Sequence, residues 1–581
     1  MIATAHNALI RYALLAAALL LMTAPAWAAD PFGTVVARFI EEEIGQLAPK
    51  PVVTRQNGRI LATDIIPAFY AGRGYRPVWV ADYRLLPTAV DLLENLRDAG
   101  HEGLNPADYH IERIAGLAAA LADDQHAPVH GIGFYRWAHL DLLLTDAFLL
   151  YASHLAFGRV DPQGSDSPSM AFSPRANMAA VLSAALDSGD ISGTLKPLAP
   201  GQPEYAKLKK ALGRYRRVTA GGEWPKIPEG EVLRPGDHSI RIPRLRRRLM
   251  ASGDLQGPLA AVEVERFGDS LVKALVRFQR RNGLTARGIL DSNTLAALNI
   301  PLEKRIQQIE YNLERWRWIA RDLDRRHILV NVADFSLKVV ENGRPVLRMP
   351  VVVGKPYSPT PAFSSRITYL VINPVWTIPP RIAREDLLPK IKADPDFLKE
   401  QKIHLFASWL PDAPEIDPYT IDWAAVGPDH LPYKLQQDPG PQNELGRMKF
   451  MFPNRFSVYL HDTPHRDQFF QPQRDLSSGC IRLEKPVDLA TTLLKDSPGW
   501  TREKIVDTIN RGREMVVGLK TPITIHLFYW TAWVDDTGEL QFRKDIYGRD
   551  TSLRRALEER TAAEGVTTAG RDRHPGAKNR F

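Results

Sequence analysis

From about residue 32 to residue 217 the apolar positions recur at the three- and four-residue spacing of helices with one buried face, as in residues 89–97. One stretch, HLDLLLTDAFLLYASHLAF (residues 139–157), is apolar nearly all round but carries Asp141, Asp146 and His154, which predicts a buried core helix and not a membrane span. The Gly- and Pro-rich fragments at 70–80 and 101–109 read as loops between helices, and TAGGEWPKIPEG (219–230) as a linker. Beyond it, from Leu233, three short amphipathic helices follow. Leu245 and Leu249 stand four apart, and Leu271, Ala274, Leu275 and Phe278 mark a second stripe. A further helix over 304–322 places Ile306, Ile309, Leu313 and Trp316 on one side.

At His327 the period changes from helical to alternating. Residues 327–354 read as strands turning at Glu341-Asn342-Gly343, and residues 367–379, 449–461 and 523–548 add further strands. Between Pro380 and Gly446 the pattern breaks into a helical segment (384–400) and then Pro- and Asp-rich coil, an insertion long enough to act as a lid over a site. The tail reads as helical to about Arg560 and disordered beyond, from its Gly, Ala and charge content. The expected fold class is multidomain α+β. A helical scaffold (29–220) precedes a three-helix unit (233–300), a linker helix (301–326), a mainly β domain (327–550) with a helical and coil lid insertion (380–446), and a disordered tail (551–581).

The 581 residues exceed what one core holds, so three or so domains are expected. Arg11, the apolar run to Met22 and the Ala26-Trp27-Ala28 site read as an export signal cut after Ala28, with membrane contact only through this segment if it stays uncleaved as an anchor. A net charge of +8 and the basic runs at 207–217 and 241–248 could serve nucleic acid, but an exported protein rarely meets it. Solvated helix faces are the expected role, with weak attraction to acidic wall polymer or anionic lipid as a second. The chain has one cysteine, so an internal disulfide is excluded and Cys480 is either a packing residue or a free reactive thiol.

The segment LHDTPHRDQFFQPQRDLSSGCIRLEKP (460–486) favours the thiol. Alternation over 455–461 puts Ser457, Tyr459 and His461 on one face and Phe456, Val458 and Leu460 on the other. Nineteen residues after His461, Cys480 follows Ser477-Ser478-Gly479. A glycine before the cysteine lets the backbone turn, so that N–H groups around Gly479 and Cys480 can form an oxyanion hole. An imidazole beside the thiol can take its proton for covalent acyl transfer. If a strand continues past Cys480, Arg482 shares its face, where a cation favours thiolate or holds a substrate carboxylate, while Ile481 and Leu483 turn into the core.

His461, the spacing to SSGC, the block VVVGKPYSPTPAFSSRITYLVINPVWTIPP (351–380) and the terminal HLFYWTAWVDDTGELQFRKDIYGRD together resemble the L,D-transpeptidases, whose motif is a histidine, about fifteen residues, then Ser or Thr, His, Gly, Cys. The layout resembles their long subfamily, and LRPGD (233–237), FQRRNGL (278–284) and GILDSNTLAAL (288–298) resemble a small peptidoglycan-binding domain. Two positions depart from the usual motif: Ser478 stands for its histidine and Arg482 for its Asn, as in the subfamily's SSGCIR variant. The resemblance implies Cys480 as nucleophile, His461 as base and the Gly479 backbone as oxyanion donor. It also implies a substrate cleft with Tyr459, Trp376, Ser477, Ser478 and Arg482.

By the same resemblance, peptidoglycan tetrapeptide stems would be joined through their third-position diamino acids with loss of D-Ala, in the periplasm of a Gram-negative-type bacterium. Wall-synthesis enzymes are possible partners, and no cofactor or metal is implied. A hydrolase on the same domain, a transferase loading lipoprotein lysine, and a non-catalytic wall binder are the alternatives. Asp462 receives no role, since a backbone carbonyl is the expected orienter of His461. His465, four after His461, is a solvated loop residue in this reading, because Pro464 opposes the helix a paired metal site would need.

Overall fold

The computed structural model describes residues 30–46, 52–53, 59–60, 62, 64–123, 132–160, 177–256, 265–319, 321, 323–394, 396–427 and 431–569. The export signal expected over residues 1–28 lies outside them.

The scaffold is built round helix α1 (Ile132–Phe157), against which Pro31–Gly45, Pro87–Arg97, Ile111–Asp123 and Met178–Ser188 pack. Its apolar stretch is 89% buried inside the protein, as the acidic residues within it imply. Those residues fasten the loops. Asp141 accepts from the Tyr70 hydroxyl (2.5 Å) and from the backbone N–H of Val78 (3.0 Å) and Trp79 (2.7 Å). Asp146 accepts from the Ala62 N–H at 2.7 Å and meets His110 Nε2 at 2.8 Å. Burial raises the Asp141 carboxyl to about 6 against those hydrogen bonds.

Helix α2 (Pro203–Gly221) leaves this core. Its Tyr205, Leu208, Leu212 and Tyr215 pack with Ile309, Leu313 and Trp316 of α3 (Leu302–Arg317), with Trp530 and Phe542 of the C-terminal domain, and with Leu553 and Leu557 of α4 (Arg549–Ala569). The linker helix is therefore the shared core of the assembly. The basic runs are correspondingly less solvated than expected. Arg216 pairs with Glu310 at 2.6 Å, Lys209 pairs with Glu102, and Arg248 donates to the Leu298 carbonyl at 2.8 Å with its guanidinium 3.3 Å over the Trp224 ring. Helix α4 extends to Ala569, past the expected end near Arg560, and its first turns are anchored by Leu553 and Leu557 in that core. Helices Ile242–Ala251, Asp269–Arg281 and Ser292–Leu298 form the three-helix unit, with Leu245, Leu249, Leu271, Ala274, Leu275 and Phe278 all inside.

In the C-terminal domain the strands are β1 (Arg326–Asn331), β2 (Ser336–Glu341), β3 (Arg344–Gly354), β4 (Phe363–Ile372), β5 (Trp376–Thr377), β6 (Ile403–Phe406), β7 (Glu415–Ile416), β8 (Lys434–Gln437), β9 (Met448–Met451), β10 (Leu460–His461), β11 (Asp475–Ser477), β12 (Ile481–Leu483), β13 (Met515–Phe528) and the paired β14 (Ala532–Val534) and β15 (Leu540–Phe542). Nine of them form one sheet in the order β11-β3-β12-β10-β9-β4-β13-β1-β2, and β2 pairs back onto β3, so the sheet closes on itself. The β2–β3 turn has positive φ at Asn342 (49°) and Gly343 (75°), the geometry of a tight hairpin.

Two expectations are corrected. Residues 449–461 are not one strand. Pro453 cannot donate to a ladder, and the Asn454 side chain takes the N–H groups of Phe456 and Val458 while donating to the carbonyls of Phe452 and Val458. The chain turns there and returns as β10, antiparallel to β9. The insertion is not helix and coil alone either. After its helical turns, β6, β7 and β8 join β5 in a separate four-stranded sheet with its own core of Trp376, Ile378, Leu388, Ile391, Leu405 and Leu435.

Candidate active site

Three neighbouring strands carry the site. Lys449 on β9 is the register partner of His461 on β10, and His461 is the register partner of Arg482 on β12. The three side chains thus stand in one row across the sheet, with Cys480 at the mouth of β12. Ile481 and Leu483 are fully buried beneath it, as alternation requires.

His461 is buried, and its Nδ1 lies 2.5 Å from the Asp462 carbonyl. A carbonyl only accepts, so Nδ1 carries the proton and Nε2 keeps its lone pair. This is the backbone-carbonyl orientation expected for the base. Burial, then the charge of Arg482, lowers the imidazole to about 3, with Lys449 adding to the effect and the Asp462 carbonyl opposing it. Burial pushes the Cys480 thiol up, against the hydrogen bonds of Tyr459 and the charges of Lys449 and Arg482. The sulfur of the half-buried Cys480 lies 3.8 Å from the carbonyl of Ser457, a residue with a positive φ of +56°.

Burial therefore favours the neutral form of both the thiol and the imidazole. Alkylation of Cys480 by iodoacetamide is expected to climb steadily with pH and to lack the low-pH plateau that a preformed thiolate–imidazolium pair produces. Rates measured from pH 4 to 10 decide it, since a plateau below pH 6 contradicts the neutral pair.

The turn before Cys480 is cradled from below. Gly479 has φ of +112°, and its carbonyl accepts from Thr360 Oγ1 at 2.7 Å. Thr360 Oγ1 in turn accepts from the Gly354 N–H at 2.9 Å, the Ser358 hydroxyl donates to the Ser478 carbonyl at 3.1 Å, and Tyr547 donates to the Gly354 carbonyl. Ser477 is an internal brace: its hydroxyl donates to the Cys480 carbonyl at 2.5 Å and accepts from the Gly479 N–H at 3.2 Å. The Gly479 N–H expected in an oxyanion hole is thereby engaged, whereas the Cys480 N–H has no partner among the described residues.

Arg482 donates to Gln468 Oε1 at 2.9 Å and lies 3.6 Å from Glu444, whose carboxylate also meets His465 at 3.0 Å. His465, expected as solvated, is half exposed and tied to that carboxylate. The Tyr459 ring stands edge-on to His461, 5.7 Å between centroids, and packs against the cores of both the nine-stranded sheet and the inserted sheet. Trp376 sits in the core of the inserted sheet at 7% exposure. A cavity of about 470 Å³ adjoins the turn, walled by Pro356, Ser358, Phe456, Ser478, Gly479 and Tyr547. A larger one of about 960 Å³ lies between the three-helix unit, α3 and α4, away from the thiol. Sequence reasoning missed Lys449, Glu444, Gln468, Ser358, Thr360 and Tyr547. Only Lys449 had a usable signal, its alternation against the buried Met448 and Phe450, and that needed the hairpin to give it meaning.

Residues 325–525 match the family model described as "L,D-transpeptidase catalytic domain". The chain carries an L,D-transpeptidase catalytic domain. Residues 64–212 match the "Scaffold domain" family and 241–298 the family described as "Putative peptidoglycan binding domain". A Haemophilus influenzae protein named "Putative L,D-transpeptidase" is 34% identical over 247 residues, covering 42% of this chain and 49% of its own length. The match thus spans about half of that relative. Solved L,D-transpeptidase structures from Mycobacterium smegmatis (14% identity, 35% of this chain and 58% of that chain, TM-score 0.17) and Xylanimonas cellulosilytica (14%, 52% and 99%, TM-score 0.17) are similar to parts of it. Within the transpeptidase domain, the Cys480 turn, His461 and the row of cations lie on the nine-stranded sheet, and the four-stranded sheet begins four residues after β4 ends.

Proposed function

We propose that the chain is a peptidoglycan L,D-transpeptidase working through an acyl-enzyme on Cys480. The observation that carries this reading is the fixed tautomer of His461, whose Nε2 lone pair is left available on the strand parallel to and paired with the one Cys480 enters. In the first half-reaction Nε2 takes the thiol proton, and Sγ attacks the carbonyl carbon of the third-position diamino acid of a tetrapeptide stem. The Cys480 N–H donates to the oxyanion. The C–N bond to D-Ala then breaks, the imidazolium gives its proton to the leaving amine, and a thioester remains. In the second, the side-chain amine of another stem attacks the thioester, the thiol re-forms, and the two third positions are joined.

The match of residues 241–298 supports a peptidoglycan substrate, and the leader-like first 28 residues support a periplasmic site of action. The purified chain incubated with defined tetrapeptide muropeptides is expected to give dimers, with one D-Ala released per crosslink, by mass spectrometry. Tripeptide stems without dimers would make it a hydrolase instead, and unchanged stems would sink the proposal.

A further inference from the structure

The cation best placed to meet a substrate at this sulfur is not the one the motif suggests. Arg482 already has one arm on Gln468 and its charge faced by Glu444, although its buried Nε–H finds no acceptor among the described residues. Lys449 is different. It is half-buried on β9, directly opposite His461 in the sheet, with its ammonium 4.1 Å from the centroid of the Tyr459 ring. Among the described residues it has no ion-pair partner. The charge of Glu514 reaches it, but that carboxylate accepts from the Val375 N–H at 2.9 Å. A half-buried ammonium held only by a ring face is incompletely satisfied, since its three N–H groups ask for acceptors that the π cloud does not supply.

We propose that Lys449 is a specificity-determining residue that receives a carboxylate carried by the substrate next to the amide under attack. The proposal rests on the acyl-transfer reading of the site. Three features support an anion there: the row Lys449, His461 and Arg482 is uniformly cationic or neutral, the nearby carboxylates are engaged elsewhere, Glu444 by Arg482 and His465 and Glu514 by the Val375 N–H, and the Tyr459 ring fixes the ammonium beside the thiol. Occupation has a second consequence. Lys449 and Arg482 both oppose protonation of His461, so a carboxylate pairing with Lys449 strengthens the base when substrate is bound. The groups facing that imidazole are Lys449 from β9, Tyr459 and the Asp462 carbonyl from its own segment, and Arg482 from β12.

The test uses two small alkylating reagents of nearly equal size on the full chain, iodoacetate with a carboxylate and iodoacetamide without one. Their rate ratio at Cys480, read by mass spectrometry at fixed pH and ionic strength, is expected to fall by about tenfold in Lys449→Met and to be largely kept in Lys449→Arg. Arg482→Met is expected to change it less. Thermal melting checks that each variant is folded, and Lys449→Gln is a second neutral variant with the same expectation. An unchanged ratio in folded Lys449→Met or Lys449→Gln overturns the proposal, as does a loss confined to Arg482→Met. Alkylation needs no transpeptidation, so a chain that fails to crosslink muropeptides can still show the ratio, and one that crosslinks can still lack it.

Discussion

Cys480→Ser is expected to abolish crosslinking, with turnover reduced by about 10⁴-fold or more. A hydroxyl is a far weaker acid than a thiol, and His461, lowered to about 3 by burial and by the charges of Arg482 and Lys449, is a weak base in the resting protein. The wild-type site depends on the thiol for the final increment of acidity, and an alcohol in the same place has no compensating base. The fold is expected to be unaffected, because the sulfur's contacts, the Ser457 carbonyl at 3.8 Å and the hydrogen bonds of Tyr459, are ones a hydroxyl of similar size can also make. Muropeptide profiling of the variant against wild type, with equal thermal midpoints, checks the result. Turnover within tenfold of wild type would show that the sulfur is not the nucleophile.

The proposed nucleophile and base stood out as candidates in the sequence because both belong to one short segment whose spacing and flanking types suit the chemistry. The orienting carbonyl was legible too, since Asp462 was left without a role and its backbone, not its side chain, holds the ring. The strand through 455–461 was not. Alternating apolar residues masked a turn that only the side-chain bonds of Asn454 reveal, and periodicity does not count such bonds. Lys449 escaped for a related reason. A residue's strand partners depend on how the chain folds back, and no local pattern says that position 449 will stand beside 461. The lid's short strands were read as coil because runs of two to four residues between prolines carry little periodic signal. The basic runs were misread in part because Arg248 and Arg216 find a ring, carbonyls and a carboxylate from distant elements. Charge on a helix face does not announce a partner.

Gly354→Ala is the second substitution expected to act strongly, although residue 354 touches no reacting atom. A methyl built there would lie 2.1 Å from the Ser358 carbonyl oxygen, 2.9 Å from Gly479 Cα and 2.9 Å from the Thr360 nitrogen. All three are backbone atoms, so no side chain can rotate away. The end of β3 and the turn before Cys480 must move apart instead. The hydrogen bonds that set the turn's height run through the same contact: Gly354 N–H to Thr360 Oγ1, and Thr360 Oγ1 to the Gly479 carbonyl. A displacement on the order of 1 Å at the nucleophile costs about 100-fold in rate, while overpacking costs about 1–3 kcal/mol of stability. The expected outcome is a folded protein with kcat down about 100-fold and a melting point lowered by a few degrees. Thr360→Ser keeps the bridging hydroxyl and should stay near wild type, which separates loss of the cradle from loss of bulk. Steady-state kinetics on muropeptide donors and thermal melting of both variants decide the matter: if Gly354→Ala turns over within threefold of wild type, contact between β3 and the cysteine turn is not what sets the position of the thiol.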